Sequence, residues 1–300
     1  MPDVTFPSGD LTLAGTLALP DGDGPFPAAV LVTGSGPLDR DSNTKKLRID
    51  VMAQVATHLA AHGIASLRYD KRGVGESEGD YLAAGLFDNV ADARAALAAL
   101  RERAEVDADR LFVIGHSEGA LIATEVAATE DLAGAVLLAG SAQLGRTVIE
   151  WQAAQVAEDL PTAAKVIMKV LRQDVAGQQR KTLDRLEATT DDVARIQFQK
   201  LNAKWFREFL AHDPTESLAR VRCPVLAITG AKDVQVPPAD VELMRGLVPT
   251  AFTGEVPADV THLLRRDPGP PSVRSYKQQA KRPVDRGVLA TISGWIGPVA

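Results

Sequence analysis

What the chain lacks bounds its chemistry. Cys223 is the only cysteine, so no disulfide can form within the chain and the cytoplasm is the expected location. Standing before Pro224 at the mouth of an apolar run, Cys223 reads as a packing residue. There is no basic stripe: 33 Lys and Arg are interspersed with 39 Asp and Glu, for a net charge of −6. Nucleic-acid binding therefore has no electrostatic footing. No apolar run is long enough to cross a bilayer, so stable membrane insertion is not expected. The opening MPDVTFPSGD carries neither a basic n-region nor an apolar core, so no secretory signal is expected. H-E-x-x-H, paired cysteines and a Walker loop are all missing, and Gly34-Ser35-Gly36 is too short to cradle a dinucleotide. No metal or cofactor is expected. Internal repeats and low-complexity tracts are absent as well.

What is there suits one large α/β core with an inserted subdomain: 300 residues, 45% hydrophobic and 24% charged. A strand over 11–19 ends in a Pro- and Gly-rich turn. Buried strands over 28–32, 64–69, 111–114 and 133–138 then alternate with helices over 47–62, 87–103 and 118–128. Strands that are apolar throughout, separated by helices, imply a mostly parallel, doubly wound sheet covered on both faces. From 143 to 218 only helical signals appear, with Val166, Val170, Leu171, Leu183 and Leu186 among the apolar positions. The alternation returns with a strand over 225–228, a helix over 239–247, a weak strand over 252–256 and a last helix over 284–296. The expected organisation is a core of 1–142 and 219–300, with a helical cap of 143–218 inserted into it.

Two segments match G-x-S-x-G: Gly115-His116-Ser117-Glu118-Gly119 and Gly75-Glu76-Ser77-Glu78-Gly79. The chemistry needs a strand entering and a helix leaving a sharp turn, which lifts the serine oxygen clear of the sheet. Ser117 has both flanks, LFVI and GALIATEVAA; Ser77 has neither and reads as a polar loop residue. The two glycines around Ser117 let strand and helix backbones approach. Ser117 is thus the expected nucleophile. His116 reads as a packed histidine and the Glu118 N–H as an oxyanion donor. The Glu118 carboxylate is expected to be exposed or salt-bridged.

A serine nucleophile needs a base, and the base an orienting carboxylate. His212 and His262 are the histidines that follow Ser117. His262 comes after the last strand, where such sites assemble, and is favoured over His212 in the helical insert. Asp233 is the only carboxylate in the loop after 225–228 and is favoured over Asp259, which is too near His262 in sequence. The small residues of Thr33-Gly34-Ser35-Gly36 make the Ser35 N–H the expected second oxyanion donor. His58 and His62 read as structural. Asp39, Arg40 and Asp41 face Asp70, Lys71 and Arg72 across two loops. They read as mutual ion pairs rather than substrate ligands, with Arg72→Ala expected to lower kcat more than it raises KM. Trp151, Trp205, Phe206 and Leu210 either line an acyl pocket or form the core of the insert. Glu150, Glu158 and Glu187 could hold a substrate ammonium.

GHSEG at 115–119, GAKDVQVP at 230–237 and DVTHLL at 259–264 follow one another as in the α/β-hydrolase superfamily, which the chain resembles over nearly its whole length. With GSGPLDRD at 34–41 and RYDKRGVGES at 68–77, it is similar to a group of bacterial carboxylesterases that also carry serine aminopeptidase and dienelactone-hydrolase-like labels. The resemblance implies a Ser117, Asp233 and His262 triad, an acyl-enzyme intermediate and esterase activity on short to medium acyl chains. Many members have His-Gly where this chain has Thr33-Gly34, a departure that touches the oxyanion loop. The expected partner is a small-molecule acyl ester. An aminopeptidase or thioesterase on the same triad is the alternative, and an intact triad argues against a non-catalytic binding protein. The sequence leaves oligomeric state open.

Overall fold

The computed structural model describes residues 2–161, 175–196 and 198–297. Strands β1 (Asp3–Ser8) and β2 (Leu11–Ala18) form an antiparallel hairpin that turns at Gly9, where φ is +57°. Then come β3 (Phe26–Val32), α1 (Val51–Ala60), β4 (Ala65–Tyr69), α2 (Leu86–Arg101), β5 (Val106–His116), α3 (Glu118–Ala127) and β6 (Gly134–Leu138). The chain leaves the sheet for α4 (Gly145–Asp159), α5 (Val175–Ala188), β7 (Val193–Ile196), β8 (Gln199–Asn202), α6 (Ala203–Ala211) and α7 (Pro214–Leu218). It returns through β9 (Val225–Ile228), α8 (Asp240–Leu247), β10 (Phe252–Glu255), α9 (Tyr276–Gln279) and α10 (Arg286–Ile296).

Eight strands form one sheet in the order β1-β2-β4-β3-β5-β6-β9-β10. The pairs β1/β2 and β2/β4 are antiparallel and the rest parallel, so the fold is the mostly parallel α/β-hydrolase sheet that the sequence pattern predicts. Every residue of β3, β4, β6 and β9 is buried, because helices cover both faces. Leu86, Val90, Ile122, Val126 and Met244 of α2, α3 and α8 pack on one face. Val51, Met52 and Val55 of α1 with Val288 and Ile292 of α10 pack on the other. The loops after β3 and β5 therefore leave the sheet toward opposite faces and opposite edges. That divergence opens a crevice at the carboxyl ends of two neighbouring strands. Among the described residues no helix is long and apolar enough to cross a membrane.

The structure corrects several expected elements. The segment 143–218 is not purely helical: β7 and β8 form an antiparallel hairpin turning at Phe198, which is fully exposed with φ +64°. Ile196, Phe198, Leu201 and Trp205 are two to four residues apart, a spacing that fits helix and strand equally and hides the hairpin. Helix α1 starts at Val51, not 47, because the Asn43 Oδ1 accepts the N–H groups of Ile49 (2.7 Å) and Asp50 (2.9 Å) and holds the preceding residues out of the helix. Strand β1 was not expected; Pro7 breaks its alternation. Val166, Val170 and Leu171 lie outside the described residues.

Of the mutual ion pairs expected between the two charged loops, Arg40–Asp70 forms, while Asp41, Lys71 and Arg72 find partners elsewhere. Arg40 Nη2 meets Asp70 Oδ2 and Glu76 Oε2, each at 2.7 Å, and Arg68 Nε meets Asp41 Oδ1 at 2.6 Å. Burial opposes the Asp70 charge, yet Arg40 and the N–H of Glu76 hold its carboxyl below the usual range. Arg72 instead reaches α2, where Asp92 accepts its Nε (2.8 Å) and Nη2 (2.7 Å) and also a bond from the Ser8 hydroxyl at 2.6 Å. The Asp92 side chain is 1% exposed. Arg72 thus ties a loop to a helix, and its loss strands a buried carboxylate. The kcat effect expected from the sequence for Arg72→Ala therefore gives way to a stability effect: we expect a cost of about 3 kcal/mol in urea unfolding, with the folded fraction keeping most of its kcat. A loss below about 1 kcal/mol would contradict the pair's structural role.

Candidate active site

Ser117 stands between β5 and α3 with φ +58° and ψ −120°, a conformation that a residue with a Cβ rarely adopts. Its N–H donates to the Leu138 carbonyl at 2.9 Å, and its own carbonyl accepts from Ala120 N–H at 2.9 Å. A Cβ on Gly115 would strike the Gly119 backbone, and one on Gly119 would strike the Val32 carbonyl. The strained turn therefore exists only because Gly115 and Gly119, two residues to either side, carry no side chain. The loop after β3 runs close by: a Cβ on Gly34 would lie 3.2 Å from Ser117 Cβ.

Asp233 sits in the loop after β9. Its Oδ1 accepts the N–H groups of Gln235 (2.7 Å) and Val236 (2.9 Å), and its Oδ2 accepts from His262 Nδ1 at 2.8 Å. The two side chains are 0% and 4% exposed. With three donors converging on it, the carboxylate acts as an acceptor. The proton then belongs on Nδ1, leaving Nε2 with its lone pair. The His262 carbonyl accepts from His116 Nε2 at 2.8 Å, so the histidine loop is fastened to the residue beside Ser117. The two imidazole centroids lie 5.1 Å apart. Burial, then the neighbouring His262, push the His116 pKa down to about 3. Below the loop lies Arg265, fully buried, which donates to the carbonyls of Leu263 and Ile49. Burial lowers its pKa to about 10.

A cavity of about 760 Å³ opens over Ser117. Ser35 and Glu118 both line it. Glu118 is the first residue of α3, where an N–H has no acceptor within the helix. Of the four residues read as either pocket lining or insert core, Trp205 and Phe206 line the cavity, while Trp151 and Leu210 are not among its lining residues. Leu210 packs instead in a cluster with Leu121, Leu183 and Phe209, against which Trp205 and Phe206 also pack. Sequence reasoning missed Leu121, Ile149, Leu186 and Phe209 as wall residues. Phe209 was legible in principle, four residues after Trp205 on the same helical face.

Of the two states expected for the Glu118 carboxylate, exposed or salt-bridged, the structure shows the second. Its carboxylate is 3% exposed. It accepts from Lys71 Nζ (2.8 Å), Trp205 Nε1 (2.6 Å) and Asn89 Nδ2 (3.4 Å). The other candidates lie elsewhere. His212 faces Glu125 at 3.4 Å, beside a separate cleft. Asp259 pairs with Lys232 at 2.9 Å. Ser77 donates to the Asp70 carbonyl and accepts from Ala14 N–H, a loop-fixing role. His58 stacks on His62 at 4.0 Å. Glu150, Glu158 and Glu187 are not among the cavity-lining residues, and Glu187 pairs with Arg146.

A family model described as serine aminopeptidase, S33, matches residues 48–268. Over 97% of its length the chain is 30% identical to the esterase EstD of Thermotoga maritima, covering 68% of that protein. Among solved structures, Est1E from Butyrivibrio proteoclasticus with bound ferulic acid superposes with a TM-score of 0.62 at 16% identity, over 98% of this chain and 96% of that one. A proline iminopeptidase from Mycobacterium smegmatis does so with a TM-score of 0.62 at 16% identity, over 98% and 97%. At such identities the solved structures speak to the fold.

The burial of His116 has a consequence for stability. Its pKa is about 3 when folded against a reference of 6.5, so between these values the unfolded chain binds the extra proton. Stability is therefore lost as pH falls from about 6.5 toward 3, by up to about 1.4 kcal/mol per pH unit from this group. We expect His116→Gln, whose amide can still donate to the His262 carbonyl, to show a shallower decline in urea midpoint across that window. Parallel profiles for the two proteins would contradict a neutral buried His116.

Proposed function

Because the chain belongs to the serine aminopeptidase S33 family of α/β-hydrolases, we propose that it cleaves carboxylic esters through an acyl-enzyme, with Ser117 as nucleophile, His262 as base and Asp233 as orienting acid. The observation that carries the proposal is the buried Asp233–His262 hydrogen bond, fastened through His116 to a strained serine under an apolar cavity.

In the proposed cycle, His262 Nε2 takes the Ser117 proton as Oγ attacks the ester carbonyl carbon. The carbonyl π electrons move to oxygen, and the resulting oxyanion is received by the N–H groups of Glu118 and Ser35. Asp233 stays ionised and stabilises the imidazolium. Collapse expels the alkoxide, which takes the proton from His262. Water then enters and gives its proton to Nε2. It attacks the acyl-enzyme, and a second collapse frees the acid as Ser117 Oγ leaves and takes the proton back from His262 Nε2.

An ester is favoured over an N-terminal peptide by the cavity wall. Among the described residues its one carboxylate is Glu118, whose oxygens already accept from Lys71, Trp205 and Asn89. A substrate ammonium finds no free counter-charge there. A cavity of about 760 Å³ with walls such as Ile149, Leu183 and Phe206 supports short to medium acyl chains. The esterase EstD relative supports the same reading, as does the GSGPLDRD and GHSEG resemblance to bacterial carboxylesterases. Residues 143–218 are proposed as the cap over a core of 1–142 and 219–300; that α4, α5, β8 and α6 supply much of the wall supports this. The free, buried Cys223 is in keeping with a cytoplasmic location.

The wild-type protein is expected to hydrolyse p-nitrophenyl butyrate and to be labelled by a fluorophosphonate at Ser117. Ser117→Ala should abolish labelling and lower kcat by about 10⁶. Asp233→Asn should lower kcat by about 10⁴. Faster turnover of aminoacyl-nitroanilides than of esters would favour a peptidase instead.

A further inference from the structure

Glu118 sits where two requirements meet. Its N–H is the proposed oxyanion donor, and its carboxylate is buried one residue from the nucleophile. An isolated negative charge there would oppose the charge that develops on the substrate oxygen. Lys71, whose own side chain is 4% exposed, lies against it at 2.8 Å and cancels that charge. The neutralised carboxylate still has lone pairs to offer, and one takes the Trp205 indole N–H at 2.6 Å.

Trp205 belongs to α6, in the segment read as the cap, and its ring lines the cavity. Its neighbours hold it as well. Asn202 Oδ1 accepts the Trp205 backbone N–H at 2.9 Å, while Asn202 Nδ2 donates to the carbonyls of Tyr81 (2.9 Å) and Ala84 (2.6 Å). The indole stacks on Phe209 at 4.7 Å, nearly parallel at 9°. The start of α6 is thus tied to the core at two points: Asn202 on the loop before α2 and the indole on the elbow itself.

We propose that Glu118 is a positioning residue that fixes the cavity wall to the catalytic elbow. Its carboxylate, kept electrically silent by Lys71, holds the Trp205 indole at a set distance from Ser117 and thereby sets how acyl chains are graded. The inference rests on the esterase reading above. It assigns Lys71 a task in catalysis by charge cancellation, and Trp205 a task in acyl selectivity that depends on its N–H and not only on its ring.

The test compares p-nitrophenyl acetate with p-nitrophenyl octanoate. In Trp205→Phe, which keeps an aromatic ring but loses the donor, the octanoate-to-acetate ratio of kcat/KM should fall about tenfold, chiefly through the octanoate KM. In Lys71→Met, kcat on acetate should fall roughly a hundredfold with little change in KM. Adding Glu118→Gln to Lys71→Met removes the uncancelled charge, keeps an acceptor for the indole, and should recover at least about tenfold of kcat. A ratio unchanged in Trp205→Phe, or a double variant no more active than Lys71→Met, overturns the inference. Trp205→Phe decides it alone if Lys71→Met does not fold. No ester turnover by the wild-type protein overturns the esterase reading itself, and the inference with it. Wild-type turnover with an unchanged ratio overturns only the inference.

Discussion

The hydrogen bond between Asp233 and His262 is the constraint around which the site is arranged. A carboxylate at 0% exposure is expensive to bury, and two backbone N–H groups and one imidazole N–H point at it in compensation. The loop geometry of 233–236 supplies the first two. The third requires that residue 262 arrive from beyond β10, and several contacts see to that. His116 grips the His262 carbonyl, Lys232 donates to the carbonyls of Asp267 and Gly269, and Arg265 pins the loop from beneath through two carbonyls. A buried guanidinium is costly too, and here it buttresses the histidine turn.

The sheet makes this convergence local. Strands β5, β6 and β9 lie side by side and parallel, so the loops leaving β5 and β9 emerge on the same edge. The loop after β3 joins them from the other neighbour of β5. Apolar strands covered on both faces fix these positions with little freedom. The elbow can then hold Ser117 in a conformation it would not adopt alone. The cavity above is built differently, from helices and a hairpin outside the sheet, and its link to the elbow runs through the Glu118–Trp205 bond.

Legibility followed the same division. The elbow could be read because its requirement is local sterics: Gly115 and Gly119 flank Ser117, with a strand before and a helix after. Ser77 has the same five-residue pattern without that context, and it became a loop brace. Asp233 and His262 were readable by chain order, since each follows a strand in the one place a carboxylate or histidine was on offer. The wall was not readable. Phe206 and Leu210 are one helical turn apart on the same flank of α6 and share one apolar cluster, yet only Phe206 lines the cavity. How far each side chain of α6 reaches toward the cavity depends on tertiary packing, and sequence spacing does not encode it. The β7–β8 hairpin was hidden for a related reason, its apolar spacing fitting two periods at once. The burial of Glu118 depended on Lys71, Asn89 and Trp205 arriving from three separate segments.

Nitrogen-15 NMR of the histidine rings reads the central bond directly. In mildly alkaline solution, where an imidazole is neutral, the account predicts that His262 carries its proton on Nδ1. A resonance for that proton should stand well downfield of the amides, persist in Ser117→Ala and vanish in Asp233→Ala. A His262 ring protonated on Nε2, or a downfield proton that survives loss of the Asp233 carboxylate, would contradict it.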